Sequence, residues 1–379
     1  MFEDVKRNIE PLDEDDLNYI KFYKTGGRVK ILFNFCMPYF RTKLYVDEKV
    51  FIDAFNDREP YDVETHFFYV PEEILAEDTP LLFVGEDAFE DGDELYYEFT
   101  YGTPEFADRE TLLNEYNSRI EVASEEKKEV DDGVVYRHML CQDRNKAPVH
   151  MFLLEVDSTK ASLYVGTPED GYADKGIRAK VPEMIDSAVK NGHNAVAAVN
   201  ADFFDINGNG SPSGLVVKNG RIIANADSLR PFIGIKKDGT PVITTLDENP
   251  EILNELDCAA AGLEMIVKDG KLYEWGELEP FSFVRHPRTA AGLTKDGKIL
   301  LLIVDGRIPD YSNGATLVDL AQFMIENGAD RAINMDGGGS SVIYTKSGDE
   351  FVLHSNPADL FHPFDKLIRD EFNCLIVTK

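Results

Sequence analysis

The chain has 379 residues, 43% of them hydrophobic, and a formal net charge of -31. That apolar content fills one large core or two moderate ones, which favours two domains. The charge excludes binding to nucleic acid or to an anionic membrane surface, and no apolar stretch reaches the roughly 18 to 20 residues of a membrane span.

The first segment, MFEDVKRNIEPLDEDD, has no hydrophobic core of a leader peptide. A cytoplasmic protein is expected as written, or a secreted one if a leader has been removed. Residues 1 to 150 hold 17 Lys and Arg against 36 Asp and Glu, and residues 59 to 108 hold 16 acids with no Lys or Arg. Such a run reads as a solvated face. From about Gly27 to Tyr101, KILFNF, KLYVDEKVFI, THFFYV, LLFV and LYYEFTY are short aromatic and β-branched runs between Pro, Gly and Asp clusters. They predict a small antiparallel β domain. Residues 105 to 133 are charged and poor in large apolar groups, so a linker is expected there, with a short helix over 111 to 120. The predicted domains are an acidic β-rich accessory domain, 1–130, and a catalytic domain, 131–379.

From Val134 onward hairpin signals recur: Lys218-Asn219-Gly220, Lys237-Asp238-Gly239, Lys268-Asp269-Gly270 and Lys295-Asp296-Gly297. Asn-Gly and Asp-Gly between apolar runs favour two-residue turns with positive φ, hence antiparallel strands. Two helices are predicted, Val181 to Gly192 and Ala315 to Gly328, each with one apolar face. NAVAAVNAD, KILLLIVDG and RAINMDG are apolar without alternation, as in strands covered on both faces. Together these give an α+β fold class: a mixed β-sheet with covering helices, beside the smaller N-terminal antiparallel domain. Cys36, Cys141, Cys258 and Cys374 form no C-x-x-C pair, so free thiols are expected.

Each unalternating run ends in a carboxylate: Asn200-Ala201-Asp202, Asp305-Gly306-Arg307 and Asn334-Met335-Asp336. If the strands are neighbours, Asp202, Asp305 and Asp336 meet in one cleft at the strand ends; taken singly, each also reads as a turn cap. Gly337-Gly338-Gly339 places amides that can form an anion nest, to which Ser340 and Ser341 add hydroxyls. His286-Pro287-Arg288-Thr289 supplies a guanidinium, the natural bidentate partner of phosphate, so Arg288 is the first expectation for that role. Asp205 to Gly210 matches half of a calcium loop, but position twelve is Val216, which excludes an EF-hand. Gly210-Ser211-Pro212-Ser213-Gly214 has Pro where a nucleophile elbow needs Ser. No pair of histidines has zinc-ligand spacing, so no metal ligand is assigned.

Read together, Asn200-Ala-Asp-Phe-Phe, the Gly210 to Gly220 segment, Arg288-Thr-Ala-Ala-Gly, Asp305-Gly-Arg and Asn334-Met-Asp-Gly-Gly-Gly-Ser-Ser resemble the phosphodiester glycosidase family over residues 134–379. The resemblance implies hydrolysis of a sugar-1-phosphodiester, with surface or capsular polysaccharide as one context. It implies phosphate held by Arg288 and the Gly337 to Ser340 loop, and a sugar pocket lined by Asp305, Asp336 and Asn200. The catalytic set expected is Asp336, Asp305, Arg288 and Asp202. The substrate-binding set is Asn200, Ser211, Ser213, Gly214, His286, Thr289, Arg307, Asn334, Gly337, Gly338, Gly339, Ser340 and Ser341. No cofactor is required by this chemistry, and calcium or magnesium is the option kept open. The partner is a small-molecule or glycan phosphodiester, with no oligomeric state assigned. Two other classes remain: a non-catalytic carbohydrate-binding protein, and a metal-dependent phosphodiesterase using the clustered Asp residues.

Overall fold

The computed structural model describes residues 19–25, 28–34, 39–46, 49–52, 65–76, 78–87, 94–101, 120–143, 146–172, 176–206, 208–225, 227, 229–273, 285–308, 310–358 and 368–379. The chain divides into two compact units, Met1–Asn117 with Glu277–Arg285, and Ser118–Gly276 with His286–Lys379. The first unit holds two antiparallel sheets. One orders Tyr19–Thr25, Arg28–Asn34 and Thr65–Pro71, and the other orders Lys49–Ile52, Tyr39–Val46, Pro80–Asp87 and Glu94–Thr100. Phe33, Phe68 and Phe83 pack at its centre, with Phe33 edge-on to Phe68 at 5.7 Å between ring centroids. The helix expected over 111 to 120 and Cys36 lie outside the described residues, apart from Ile120.

The second unit is built from three sheets. The largest has eight strands in the order Lys271–Leu272, Glu264–Lys268, Ala329–Met335, Arg288–Thr294, Lys298–Val304, Pro148–Asp157, Val134–Gln142 and Glu121–Asp131. A five-stranded sheet orders Ser162–Gly166, Cys374–Thr378, Ala195–Asn200, Ile343–Ser347 and Glu350–Leu353. A second five-stranded sheet orders Arg221–Asn225, Leu215–Lys218, Leu256–Ala261, Phe232–Lys236 and Pro241–Thr244. Their inner faces share one core, to which Leu154, Leu301 and Ile333, then Val165, Val199 and Leu375, then Val216, Ile233 and Ala260 contribute from the three sheets in turn.

This corrects the expected α+β class. The sheet is not mixed: the described strand pairs are antiparallel, from Arg288–Thr294 beside its two neighbours to Ala195–Asn200 beside Cys374–Thr378. The protein is mostly β, with two α-helices among the described residues, Val181–Lys190 and Leu317–Glu326. The physical reason lies in what covers the unalternating strands. Ala195–Asn200 is buried throughout because Val196, Ala197 and Val199 face the core between sheets, while Ala195 and Ala198 face Met184 and Ile185 of the first helix. Sheet-on-sheet packing supplies one cover and a helix only the other.

The turn chemistry is borne out at Asn219 (φ 49) with Gly220 (φ 71), and at Asp269 (φ 54) with Gly270 (φ 71). At 237–239 and 295–297 the loops have three residues and only the glycine takes positive φ. The second helix starts from a reciprocal cap, Asp319 N to Thr316 Oγ1 and Thr316 N to Asp319 Oδ2, both 3.0 Å. Residues 121 to 131, read as linker, instead form an exposed edge strand paired with Val134–Gln142. Its charges do what edge charges commonly do, keeping unpaired backbone groups from recruiting another strand. Cys141, Cys258 and Cys374 are free and buried, and among the described residues no helix is long and apolar enough to cross a membrane.

Candidate active site

Antiparallel pairing brings the ends of separate strands to one rim. Thr289 pairs with Met335, Arg288 with Val304, and Asn200 with Cys374. Asn200 then ties the two sheets together. Its Nδ2 donates to the Asp336 carbonyl at 2.6 Å, while its Oδ1 accepts from Thr289 Oγ1 at 2.9 Å and from Val342 N at 3.2 Å. Thr289 Oγ1 also reaches Ser341 Oγ at 3.2 Å. Asn200, Thr289 and Ser341 are buried and hydrogen-bonded to protein, so they frame the site.

The glycine run answers to crowding. A Cβ on Gly337 would stand 2.7 Å from the Pro287 carbonyl, and Gly338 has φ 62 with the Arg307 guanidinium 3.1 Å from its Cβ position. Only glycine fits such places. The Gly338 amide donates to Pro287 O, Ser340 N to Gly337 O and Ser341 N to Gly338 O, which makes a single tight turn over Gly338–Ser340. Those three amides are engaged within the protein, so side chains are the better source of anion-binding donors here.

Three carboxylates gather around this turn. Asp336 is densely surrounded by protein but keeps part of its surface open, and Asp202 and Glu371 are each 2% exposed. Burial pushes the Asp336 carboxyl up against the pull of Ser340, Arg369, Gly337 N–H and Arg307. Burial also raises Glu371 well above the carboxylate range, and the charge of Asp336 raises it further. Asp202 is raised in the same way, burial first, with the Asp336 charge adding to it against Asn373, Ala261 N–H and Arg230. Asn373 holds Asp202 from both sides, accepting from its amide and donating to Oδ2, each at 3.0 Å. Asp202 Oδ1 and Glu371 Oε1 are buried with no hydrogen-bond partner. Desolvated carboxylates that repel one another are costly to keep, and such sites are commonly functional.

Cations border the group. Arg369 Nη1 donates to Ser340 Oγ at 3.1 Å, and Arg307 Nη2 meets His286 Nδ1 at 3.2 Å. Both arginines are half-buried. Arg288 is placed differently. It is 2% exposed, its Nε donates to Ala315 O at 3.0 Å, and strand alternation puts it on the face of Gly292, which lies against Met324 of the second helix. Asn334 shares that face and donates to Glu264 Oε2 at 3.0 Å while its own Oδ1 is buried and unpartnered. Burial raises Glu264, with Asn334, Arg288 and Arg230 opposing.

Asp305 follows Leu301 and Ile303 onto the core face, the opposite face from Arg288. Its Oδ2 accepts from Tyr311 OH at 2.9 Å and Asn356 N at 2.8 Å, and its Oδ1 also accepts from Asn356 N at 3.0 Å. A carboxylate so occupied fastens loops. Gly214 packs its Cα edge against Ala261 and Arg230, Ser213 N donates to Phe203 O at 2.7 Å, and Ser211 Oγ donates to Asn209. Asp205 folds onto its own turn, accepting from Asn209 N at 3.2 Å. Among the described residues no three His, Cys, Asp or Glu side chains group as metal ligands.

Glu371, Arg369, Asn373 and Arg230 were not foreseen. The signal available was Arg369-Asp370-Glu371-Phe372-Asn373 directly before the apolar strand Cys374–Thr378, a polar run at a strand's amino end rather than its carboxyl end.

Residues 193–374 match the phosphodiester glycosidase family. Bovine N-acetylglucosamine-1-phosphodiester alpha-N-acetylglucosaminidase is 31% identical over 179 residues, 43% of this chain and 32% of the bovine protein. The mouse protein of the same name is 29% identical over 178 residues, 43% of this chain and 33% of its own length. The matched part is thus about a third of these relatives. A solved zebrafish catalytic domain of that name, auto-inhibited by its pro-peptide, shares the fold with a TM-score of 0.53 at 22% identity, over 69% of this chain and 87% of that one. All five sequence blocks fall within the matched segment, which assigns residues 193–374 of this chain to the phosphodiester glycosidase family.

Proposed function

We propose that the protein is a hydrolase that cleaves sugar-1-phosphodiesters at the bond between the anomeric carbon and the phosphate oxygen. One observation carries the reading: within the family segment, Asp336 and Glu371 lie beside the guanidinium groups of Arg307 and Arg369 around the Gly338–Ser340 turn. Phosphate needs cationic donors, and an oxocarbenium-like centre needs carboxylates.

In this reading Arg307 and Arg369 clamp the phosphodiester, taking the part first given to Arg288, which instead orders the Asn334 and Glu264 side of the pocket. The unpartnered acceptors Asp202 Oδ1 and Asn334 Oδ1 receive sugar hydroxyls. Water attacks the anomeric carbon and gives its proton to Asp336. The electron pair of the broken C–O bond stays with the phosphate oxygen, so the phosphomonoester leaves without needing a proton. Asp305 fastens the Tyr311 and Asn356 loops around the pocket. The substrate is a glycan or polysaccharide phosphodiester, and no cofactor enters a step. Hydrolysis in 18O-labelled water, with chelator present and absent, tests this. Label in the sugar is the expected result. Label in phosphate means P–O cleavage, and activity lost in chelator means a metal-dependent phosphodiesterase; either rejects the mechanism. Binding of sugar phosphodiesters with no turnover would leave a carbohydrate-binding protein.

A further inference from the structure

Two carboxylates, the half-open Asp336 and the buried Glu371, stand beside the Ser340 hydroxyl, and only one of them can be the base. We propose that Glu371 is a positioning residue that keeps a proton, so that Asp336, across the Ser340 hydroxyl, stays ionised to accept the proton of the attacking water. The inference rests on the reading above and assigns the protonation state on which it depends.

The geometry orders the two groups. Asp336 has the open side, the Gly337 N–H and the charges of both Arg307 and Arg369. Glu371 is 2% exposed, has Oε1 without a partner, and faces the like charges of Asp336 and Asp370 with Arg369 as its nearby cation. Ser340 stands beside both carboxylates and already accepts from Arg369 Nη1 at 3.1 Å. A hydroxyl donates one hydrogen and accepts two. If it donates to Asp336, it has one lone pair left, which a protonated Glu371 can fill and an ionised Glu371 cannot. Like charges this close do not both ionise readily, so the proton settles on the more deeply buried partner. The other charged groups packed here are Asp202, which repels Asp336, and Cys374, which burial keeps as the neutral thiol.

Ionisation of Glu371 at higher pH adds a second negative charge beside the place of the phosphodiester. Anion affinity and turnover therefore fall together on the alkaline side. The test uses the full chain and compares wild type with Glu371→Gln, a neutral isostere of the protonated acid. Sulfate, whose charge is constant over this range, is titrated calorimetrically from pH 5 to 9, and turnover is followed in parallel. We expect wild-type sulfate affinity to fall at least fivefold across the alkaline limb and E371Q to stay level. We expect E371Q turnover to drop about three- to tenfold near neutrality and to lose its alkaline fall. An alkaline fall that persists in E371Q, or is absent from wild type, overturns the proposal. So does a hundredfold loss of E371Q turnover at every pH with sulfate binding intact. If E371Q does not fold, carboxyl carbon shifts of the 13C-labelled wild type decide, with a second carboxylate titrating no higher than Asp336 as the overturning result. Level sulfate binding by E371Q with no turnover of any sugar phosphodiester by wild type rejects the function while the proton placement stands.

Discussion

Two buried charge clusters in the second unit differ in how completely they are compensated. Lys218, fully buried, donates from Nζ to Thr167 Oγ1 at 2.8 Å and to Asp170, and sits 4.7 Å from the centre of the Tyr164 ring. Asp170 also accepts from Tyr164 OH at 2.8 Å and Asn191 Nδ2 at 2.7 Å. Burial raises the Asp170 carboxyl, yet Lys218, Asn191 and Tyr164 outweigh it and leave it below its ordinary value. The Asp336, Glu371 and Asp202 cluster ends the opposite way, with all three carboxyls raised and two of their oxygens unpartnered. The first cluster spends its charges on structure. The second retains an unmet demand for donors, and a ligand can supply them.

The contrast can be broken most severely at its satisfied end. Lys218→Met leaves Asp170 buried without its cation, and we expect a loss of about 3 to 5 kcal/mol in urea unfolding; a loss under 1 kcal/mol would make the pair ornamental. Next is Asp336→Asn, expected to lower turnover by about a hundredfold or more with no fall in Tm. If Tm falls with activity, Asp336 is part of the framework like Asp170. Smaller is Asp202→Asn. A carboxyl raised in the fold destabilises it as pH climbs above the unfolded value, so removing the charge should raise Tm at pH 8 by about 2 to 4 °C for each kcal/mol relieved. At pH 4 the gain should shrink towards zero. A Tm gain that does not depend on pH would point to packing instead. The smallest effect is expected at Glu248, held at about 2 by Arg331 and then Lys268. A depressed carboxyl stabilises above the unfolded value and loses that contribution as pH falls from about 4.5 towards 2. Because the pair is partly exposed, Glu248→Gln should cost only about 0.5 kcal/mol at pH 7, read as a shift in the urea midpoint.

Much of the rim could be read from the chain. Asn200, Asp336 and the Gly337 to Ser341 loop stood out because buried strands end in polar residues and because three glycines exceed what a turn needs. Asp305 and Arg288 were grouped with them, but the pairing of Arg288 with Val304 sends Asp305 to the other face of the sheet. A register that differs by one residue inverts such an assignment. Residues 121 to 131 looked like a linker because an edge strand can be charged along its exposed length. Glu371 and Arg369 carried no motif, and they reach the site because Cys374–Thr378 lies between Ser162–Gly166 and Ala195–Asn200 in the sheet.

By itself the sequence determined what is local: positive-φ turns at Asn219-Gly220 and Asp269-Gly270, the helix stops at Gly192 and Gly328, the strands too apolar to face water, and the ordered blocks of the family. These follow from backbone sterics and from periodicity within a few residues. Tertiary structure alone decided which acids meet, which arginines face them, and that sheets rather than helices cover most of the core. Proximity between Asp336 and Glu371 arises from strands distant in the chain, and their raised carboxyls arise from the desolvation that pairing imposes.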